Sequence, residues 1–277
     1  MMQHGTAYRK QHAERIRLNE SKTWHRKSPA EKQRITLWQN HKLTPEVADA
    51  IIARQQGRCL GCMKPLQMGF GRGKRFHVDH DHTCCPSIKS CGSCVRGFLC
   101  HGCNTAIGLV DESPETLRRL IAYLERDPKK YLVYIAGALK NPRIPEIGNI
   151  LRKANYDAMD EWYTPGEHAD ANWQAYEKLR GRTFKEALNG RAATNIYLFD
   201  RAYIDLCDAF VAVLPFGKSA SIELGYVKGL GKPLAIFTDN QEPDRYDVMP
   251  RFVDAVLKTE DELLVWLQTT LPGGDHR

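Results

Sequence analysis

Two cysteine pairs, Cys59-x2-Cys62 and Cys100-x2-Cys103, stand 37 residues apart and restrict what this chain can fold into more than any other feature. Each pair is a tight turn that presents two thiolates, and four thiolates close a tetrahedral shell around zinc with no position left open. A metal held in that way is structural. A pair of redox dithiols is the rival reading, but it needs neither two knuckles nor the histidines between them. The first twenty residues carry charge but no apolar signal segment, and the apolar run at 210–215 is far too short to span a bilayer. A cytoplasmic location without a membrane partner is therefore expected, where thiols stay reduced and clustered cysteines serve metals rather than bridges.

Residues 76–104, FHVDHDHTCCPSIKSCGSCVRGFLCHGCN, hold four histidines and six of the nine cysteines. In VDHDH a histidine follows an acid, and Asn104 comes some two dozen residues later at the start of a helical stretch. That pattern fits a one-metal nuclease finger. A histidine activates water, while a carboxylate and an amide oxygen hold a hard divalent ion against the scissile phosphate. Imidazole near its ordinary pKa suits the base at neutral pH.

Cys59-x2-Cys62, VDHDH, VRGFLCHGCN and the helix after it resemble the recombination endonuclease VII family of HNH (His-Me finger) nucleases, over roughly residues 6–126. The resemblance implies a zinc-stabilised ββα finger with helical flanks and DNA as partner. Asp79 and Asn104 then look like ligands of a catalytic Mg2+ or Mn2+, His80 like the general base and His82 like a supporting histidine. Cys59, Cys62, Cys100 and Cys103 look like the structural zinc ligands. Cys84, Cys85, Cys91 and Cys94 fall in the loop joining the two arms, where shorter relatives have none. A second structural zinc, a three-cysteine site completed by histidine, free thiols and an incidental disulfide all stay open for them.

Charge is uneven. Residues 1–130 carry 23 lysines and arginines against 12 acidic residues, net +11, and the remainder 17 against 21, net −4. A polyanion partner is expected for the first half only. Residues 6–40 read as a polar, basic helix, with Arg15, Arg17, Arg26 and Lys27, and Arg96 further on, expected at DNA phosphates. In the family such a helix often pairs two subunits, which implies a homo-oligomer. Thr44 and Pro45 open a second helix, and Ser113 with Pro114 another.

The chain changes character near 127–130, so two domains are expected, 1–128 and 131–277. Strand patterns at 131–137, 156–162, 208–215 and 232–239 alternate with helical patterns at 145–154, 168–189, 192–206, 219–231 and 261–271. That alternation implies a Rossmann-like or flavodoxin-like parallel sheet covered on both faces. YIAG (Tyr134 to Gly137) closes the first strand, and Gly217, Lys218 and Ser219 form a strand-to-helix turn where phosphate could sit. An ordinary βαβ unit explains the same residues, because GKS alone is not a phosphate-binding loop.

YIAG, D-x-x-V-x-x-L-P, S-x-S-x-E-L-G-Y and G-K-P together resemble the nucleoside 2-deoxyribosyltransferase-like superfamily. The resemblance implies a nucleoside or nucleotide ligand and a glutamate nucleophile, Glu223, attacking an anomeric carbon. Gly217 stands where the transferases carry an aspartate, Ser219 and Ser221 could hold a 5′-phosphate, and Asp208 could contact base or sugar. Three functions follow: a nuclease controlled by a nucleotide sensor, as in antiviral effectors; a nuclease joined to an N-glycosidase or transferase; and an inactive DNA-junction binding protein.

Overall fold

The structure, a computed structural model, describes residues 24–66, 76–242 and 248–271 together with Ala13. Arg15 and Arg17 lie outside the described residues. The chain divides into two compact units, Met1–Glu112 and Ser113–Arg277. No helix among the described residues is long and apolar enough to cross a membrane.

In the first unit, α1 (Pro29–His41) begins at Ser28, so no single helix runs through to residue 40 as expected. The Ser28 hydroxyl accepts from Glu31 N, and the Glu31 carboxylate accepts from Ser28 N. This capping box satisfies two free donors at once and fixes a fresh helix start behind extended backbone. Thr44 caps α2 (Pro45–Arg54) as its sequence predicts. Strands β1 (Phe76–His80) and β2 (Val95–Cys100) then pair antiparallel and lead directly into α3 (His101–Leu109). The helix starts three residues before Asn104, so His101 and Cys103 lie in its first turn.

A register break decides the geometry here. Asp79 pairs with Gly97 but His80 pairs with Val95, which leaves Arg96 as one extra residue on β2. Such a bulge locally re-aims side chains. The core is small: Leu37, Leu43, Ala48, Leu66, Phe98 and Leu99 gather around fully buried Cys59. Buried Gln55 closes the edge of β2, donating to Phe98 O at 2.9 Å and accepting from Phe98 N at 2.8 Å.

The second unit opens with α4 (Pro114–Glu125), capped by Ser113. It is built on five parallel strands: β3 (Leu132–Ala136), β4 (Asp157–Met159), β5 (Ala209–Val213), β6 (Leu234–Phe237) and β7 (Ala255–Leu257). Their order, β4-β3-β5-β6-β7, is the flavodoxin-like order. Alternation along the strands sorts the two faces. Val133, Ile135, Val211 and Phe237 pack with Ile144, Ile147 and Leu151 of α5 (Arg143–Lys153) and with Leu263 and Leu267 of α10 (Glu260–Thr270). Tyr134, Phe210, Ala212 and Ile236 pack with Ile204 and Val227 on the other face. These two residues come from α8 (Arg191–Leu206) and α9 (Lys218–Gly229).

Two expectations need revision. The helix expected over 168–189 is two helices, α6 (Ala169–Leu179) and α7 (Phe184–Leu188). Gly181 has φ +68°, a conformation that stops a helix, and Thr183 starts the next with its own capping box. The strand expected over 156–162 stops at Met159, because Glu161–Tyr163 turns into a 3-10 helix. Strand β7 was not expected from the sequence; three residues are too few to show a period.

Candidate functional site

The four knuckle cysteines meet as the spacing predicts. The sulfurs of Cys59, Cys62, Cys100 and Cys103 lie within 4.8 Å of one another, with Cys62 and Cys100 3.8 Å apart. Zinc–sulfur bonds of about 2.3 Å give a tetrahedron edge of about 3.8 Å, so this set can hold zinc without rearrangement. Gly61 leaves room for it, since a Cβ there would lie 2.8 Å from the Cys103 sulfur. Burial pushes the Cys59 thiol up, but N–H groups of Cys100, Cys62 and Gly61 outweigh burial and bring it to about 6. Its sulfur accepts from Cys100 N at 3.2 Å. Burial and the neighbouring thiols push Cys103 up to about 12. A cation that displaces the remaining protons resolves that competition.

Cys84, Cys85, Cys91 and Cys94 form a second such group, also within 4.8 Å. Among the described residues, these two are the only groups of three or more histidine, cysteine, aspartate and glutamate side chains close enough to hold a metal together.

The nuclease-like residues form a constellation of their own. Asp79 takes a two-pronged ion pair from Arg96, Nε to Oδ2 at 2.7 Å and the second nitrogen to Oδ1 at 3.1 Å. Arg96 also reaches His80 O at 3.0 Å and Glu112 at 2.8 Å. His82 Nδ1 pairs with the other oxygen of Glu112. Arg96, expected at DNA phosphates, makes these contacts within the site and stays partly exposed. Glu112 was not singled out from sequence: no local motif marks it, and only the turn after α3 brings it to His82 and Arg96. Desolvation pushes the Glu112 carboxyl up, but Arg96 and His82 outweigh it and hold it below the ordinary range.

His80 is buried, 4% exposed, and its Nε2 faces Cys85 O and Ser87 O, each at 3.1 Å. Carbonyl oxygens only accept, so Nε2 carries the proton and Nδ1 is left as the basic nitrogen. Asn104 follows the first turn of α3, which packs on both strands. Arg26 is exposed and Lys27 partly so, just before α1.

In the second unit, the structure gathers some expected residues and separates others. Glu223, on α9, is partly buried, and Asp200 of α8 lies near enough for its charge to act on it. Desolvation, then the Asp200 charge, pushes Glu223 up to about 7; burial does the same to Asp200, also to about 7. One Asp200 oxygen is buried without a hydrogen-bond partner. Tyr134 is raised well above its ordinary value, first by burial and then by Asp200 and Glu223, so the three side chains are neighbours. Asp200 was missed in the sequence. Its signal is that Asp200 stands beside apolar residues in YLFDRAYIDL, a stretch that also carries Arg201 and Asp205.

Gly137 is tightly packed: a Cβ there would run into the Ile144 side chain and lie 3.3 Å from Val213 O. Gly217 has open space around its Cα and caps α9. Ser219 is exposed in the first turn, and Ser221 donates to Gly217 O at 3.0 Å. Asp208 is not with them. It binds Leu132 N at 2.8 Å and Arg126 at 3.2 Å, at the amino end of β3, whereas Gly137 and Gly217 follow carboxyl ends. A groove of about 1140 Å³ runs beside α9 past Ser221, Thr238 and Phe252, but neither Glu223 nor Asp200 lines it.

Raised carboxyl pKa values mean that ionising Glu223 costs folding free energy. The favourable contribution is complete below about pH 4.5, the unfolded value, and is lost as pH rises to about 7. Glu223→Gln is therefore expected to leave melting at pH 4 unchanged and to raise it above pH 7. Each kcal/mol recovered corresponds to about 2–4 °C for a domain of this size. Equal melting curves across that range would contradict the arrangement.

Residues 32–126 match the family model of recombination endonuclease VII. Among solved structures, a 2-deoxyribosyltransferase from the psychrotolerant bacterium Bacillus psychrosaccharolyticus aligns at 17% identity with a TM-score of 0.37. That alignment covers 51% of this chain and 96% of the other. No curated protein matches the chain.

Proposed function

We propose that residues 1–128, which contain the segment matching recombination endonuclease VII, act as a metal-dependent DNA endonuclease, and that residues 131–277 bind a nucleoside or nucleotide that controls cleavage. The observation that carries the nuclease reading is the His80 imidazole, buried and oriented by two carbonyls with Nδ1 left basic. A carboxylate and an amide oxygen, Asp79 and Asn104, are the hard donors that Mg2+ or Mn2+ prefers. Arg96 uses only part of the lone-pair capacity of Asp79. When bound, the ion offsets charge on the oxygen that leaves phosphorus.

His80 Nδ1 takes a proton from water, the hydroxide forms a bond to phosphorus, and the opposite P–O bond breaks with its electron pair staying on oxygen. Glu112 holds His82 and Arg96 in place. Arg26 and Lys27 supply contacts to the DNA backbone, which weaken as salt rises. Pairing of two chains belongs to the same proposal.

Supercoiled and branched DNA test this reading. Cleavage is expected with Mg2+ or Mn2+, to cease with a chelator, and to return on adding the ion back. Asn104→Ala should need a higher metal concentration for half-maximal rate. Cleavage indifferent to divalent ions would sink the proposal.

A second reading rests on Asp200 and Glu223. Two carboxyls raised to about 7 in one partly buried place can hold different protonation states at neutral pH, one acting as nucleophile and the other as acid. Such a unit would release a free base from a nucleoside or nucleotide. Base release that disappears in Glu223→Gln favours an N-glycosidase. A nucleotide that alters the cleavage rate without losing its base favours control.

A further inference from the structure

We propose that Cys84, Cys85, Cys91 and Cys94 bind a second structural zinc ion, which holds the carbonyls of Cys85 and Ser87 against the imidazole of His80. The role given to His80 rests on the nuclease reading; the metal site does not. Sulfur separations are 3.9 Å for Cys84–Cys91, 4.0 Å for Cys84–Cys85 and 3.6 Å for Cys91–Cys94. These bracket the tetrahedron edge of about 3.8 Å set by zinc–sulfur bonds of about 2.3 Å. They are far from the roughly 2.05 Å of a disulfide.

Adjacent cysteines are awkward partners on one ion, and the local backbone overcomes this. Asp81 O accepts from both Cys84 N and Cys85 N, at 3.2 and 3.0 Å, while Asp81 Oδ1 accepts from Thr83 N at 2.8 Å. This tight turn brings both sulfurs into the group that Cys91 and Cys94 complete. Between the last two, Gly92 has φ +91°, and a Cβ there would lie 3.0 Å from His41 O. The knuckle is thereby seated on the end of α1, where Ser90 N also donates to Asn40 O at 2.8 Å.

Apolar packing does not order this loop. Ile88, the large aliphatic side chain between Thr83 and Cys94, is 85% exposed. Yet Cys85 O and Ser87 O both bond His80 Nε2 at 3.1 Å. One of those carbonyls belongs to a proposed ligand and the other lies two residues beyond it. Coordination, with each thiol proton passing to solvent, therefore fixes the tautomer of the imidazole.

Zinc released by a mercurial thiol reagent, counted per chain, tests the site. Two ions are expected in the wild type and one in Cys91→Ser/Cys94→Ser. Nitrogen-15 NMR of the His80 ring should show the Nε2–H tautomer in the wild type and a mixture in the variant. kcat for plasmid cleavage should fall about 10–100-fold with the KM for DNA little changed. Cys94→His, which keeps four ligands, should restore zinc, tautomer and kcat. One zinc in the wild type, or two in the double variant, overturns the site. One zinc with tautomer and kcat unaltered overturns the positioning role. If the double variant loses both ions through unfolding, Cys94→His decides, and fewer than two ions there overturns the site. A wild type that cleaves no DNA defeats the nuclease reading, while zinc count and tautomer still decide the metal site and its hold on His80.

Discussion

His80→Ala is expected to reduce divalent-dependent DNA cleavage by about 10²–10⁴-fold, the usual worth of a positioned general base. The neighbours of the imidazole define which of its nitrogens is free. Both carbonyls sit on Nε2, which leaves Nδ1 as the nitrogen for the role given to it. Removing the ring also leaves those carbonyls without their donor in a place only 4% exposed, at a cost of about 1–3 kcal/mol. Thermal melting and zinc content must accordingly be measured beside the rate. Retained zinc, a modest loss in melting temperature and a collapse of kcat together support the assignment. An unchanged rate in a folded variant would falsify it.

The second large effect concerns the first zinc cluster. Cys59→Ser is expected to release the ion and unfold the first unit, while the second unit, with its own two-faced core, keeps its melting transition. Magnitude decides this. Structural zinc contributes about 10–16 kcal/mol in small zinc folds, and a whole domain is stable by only about 5–15 kcal/mol. The apolar core here is short of large side chains; Phe98 is the one fully buried aromatic among its members. Cys59 sits at its centre, so serine there removes a ligand and leaves a polar group where apolar contacts were. Circular dichroism should lose part of the helix signal and one calorimetric transition. A zinc-free variant that melts like the wild type would show that the hydrophobic core suffices.

Much of the candidate site was legible because its parts are local. The CxxC turns, VDHDH and the CHGCN stretch that ends in Asn104 are short segments whose spacing already limits where their side chains can go. Helix starts at Thr44 and Ser113 were readable for the same reason, since a cap and the proline after it are adjacent in sequence. Glu112 and Asp200 were not readable. Each gains meaning from a partner at least 16 residues away, and no spacing announces either contact. Asp208 shows the converse: one residue before β5, it sits in the motif yet at the wrong end of the strand for a ligand beside Gly217. A sequence pattern names residues near a strand without saying which end of the sheet they serve.

By itself, then, the sequence determined that four cysteines pair at zinc-ligand spacing, that a histidine and an acid stand ahead of an asparagine at nuclease-finger spacing, and that a parallel sheet is covered by helices. Those follow from ligand spacing and from residue periods of two and 3.6, which are properties of short segments. The tertiary structure alone decided what those residues face. A single extra residue, Arg96, folds its guanidinium onto Asp79; a cysteine-rich loop hands its carbonyls to His80; and two helices bring Asp200 beside Glu223. The first and third join positions 17 and 23 residues apart, and the second folds a loop back onto a residue five to seven positions earlier; in each, burial and charge, not spacing, set the chemistry.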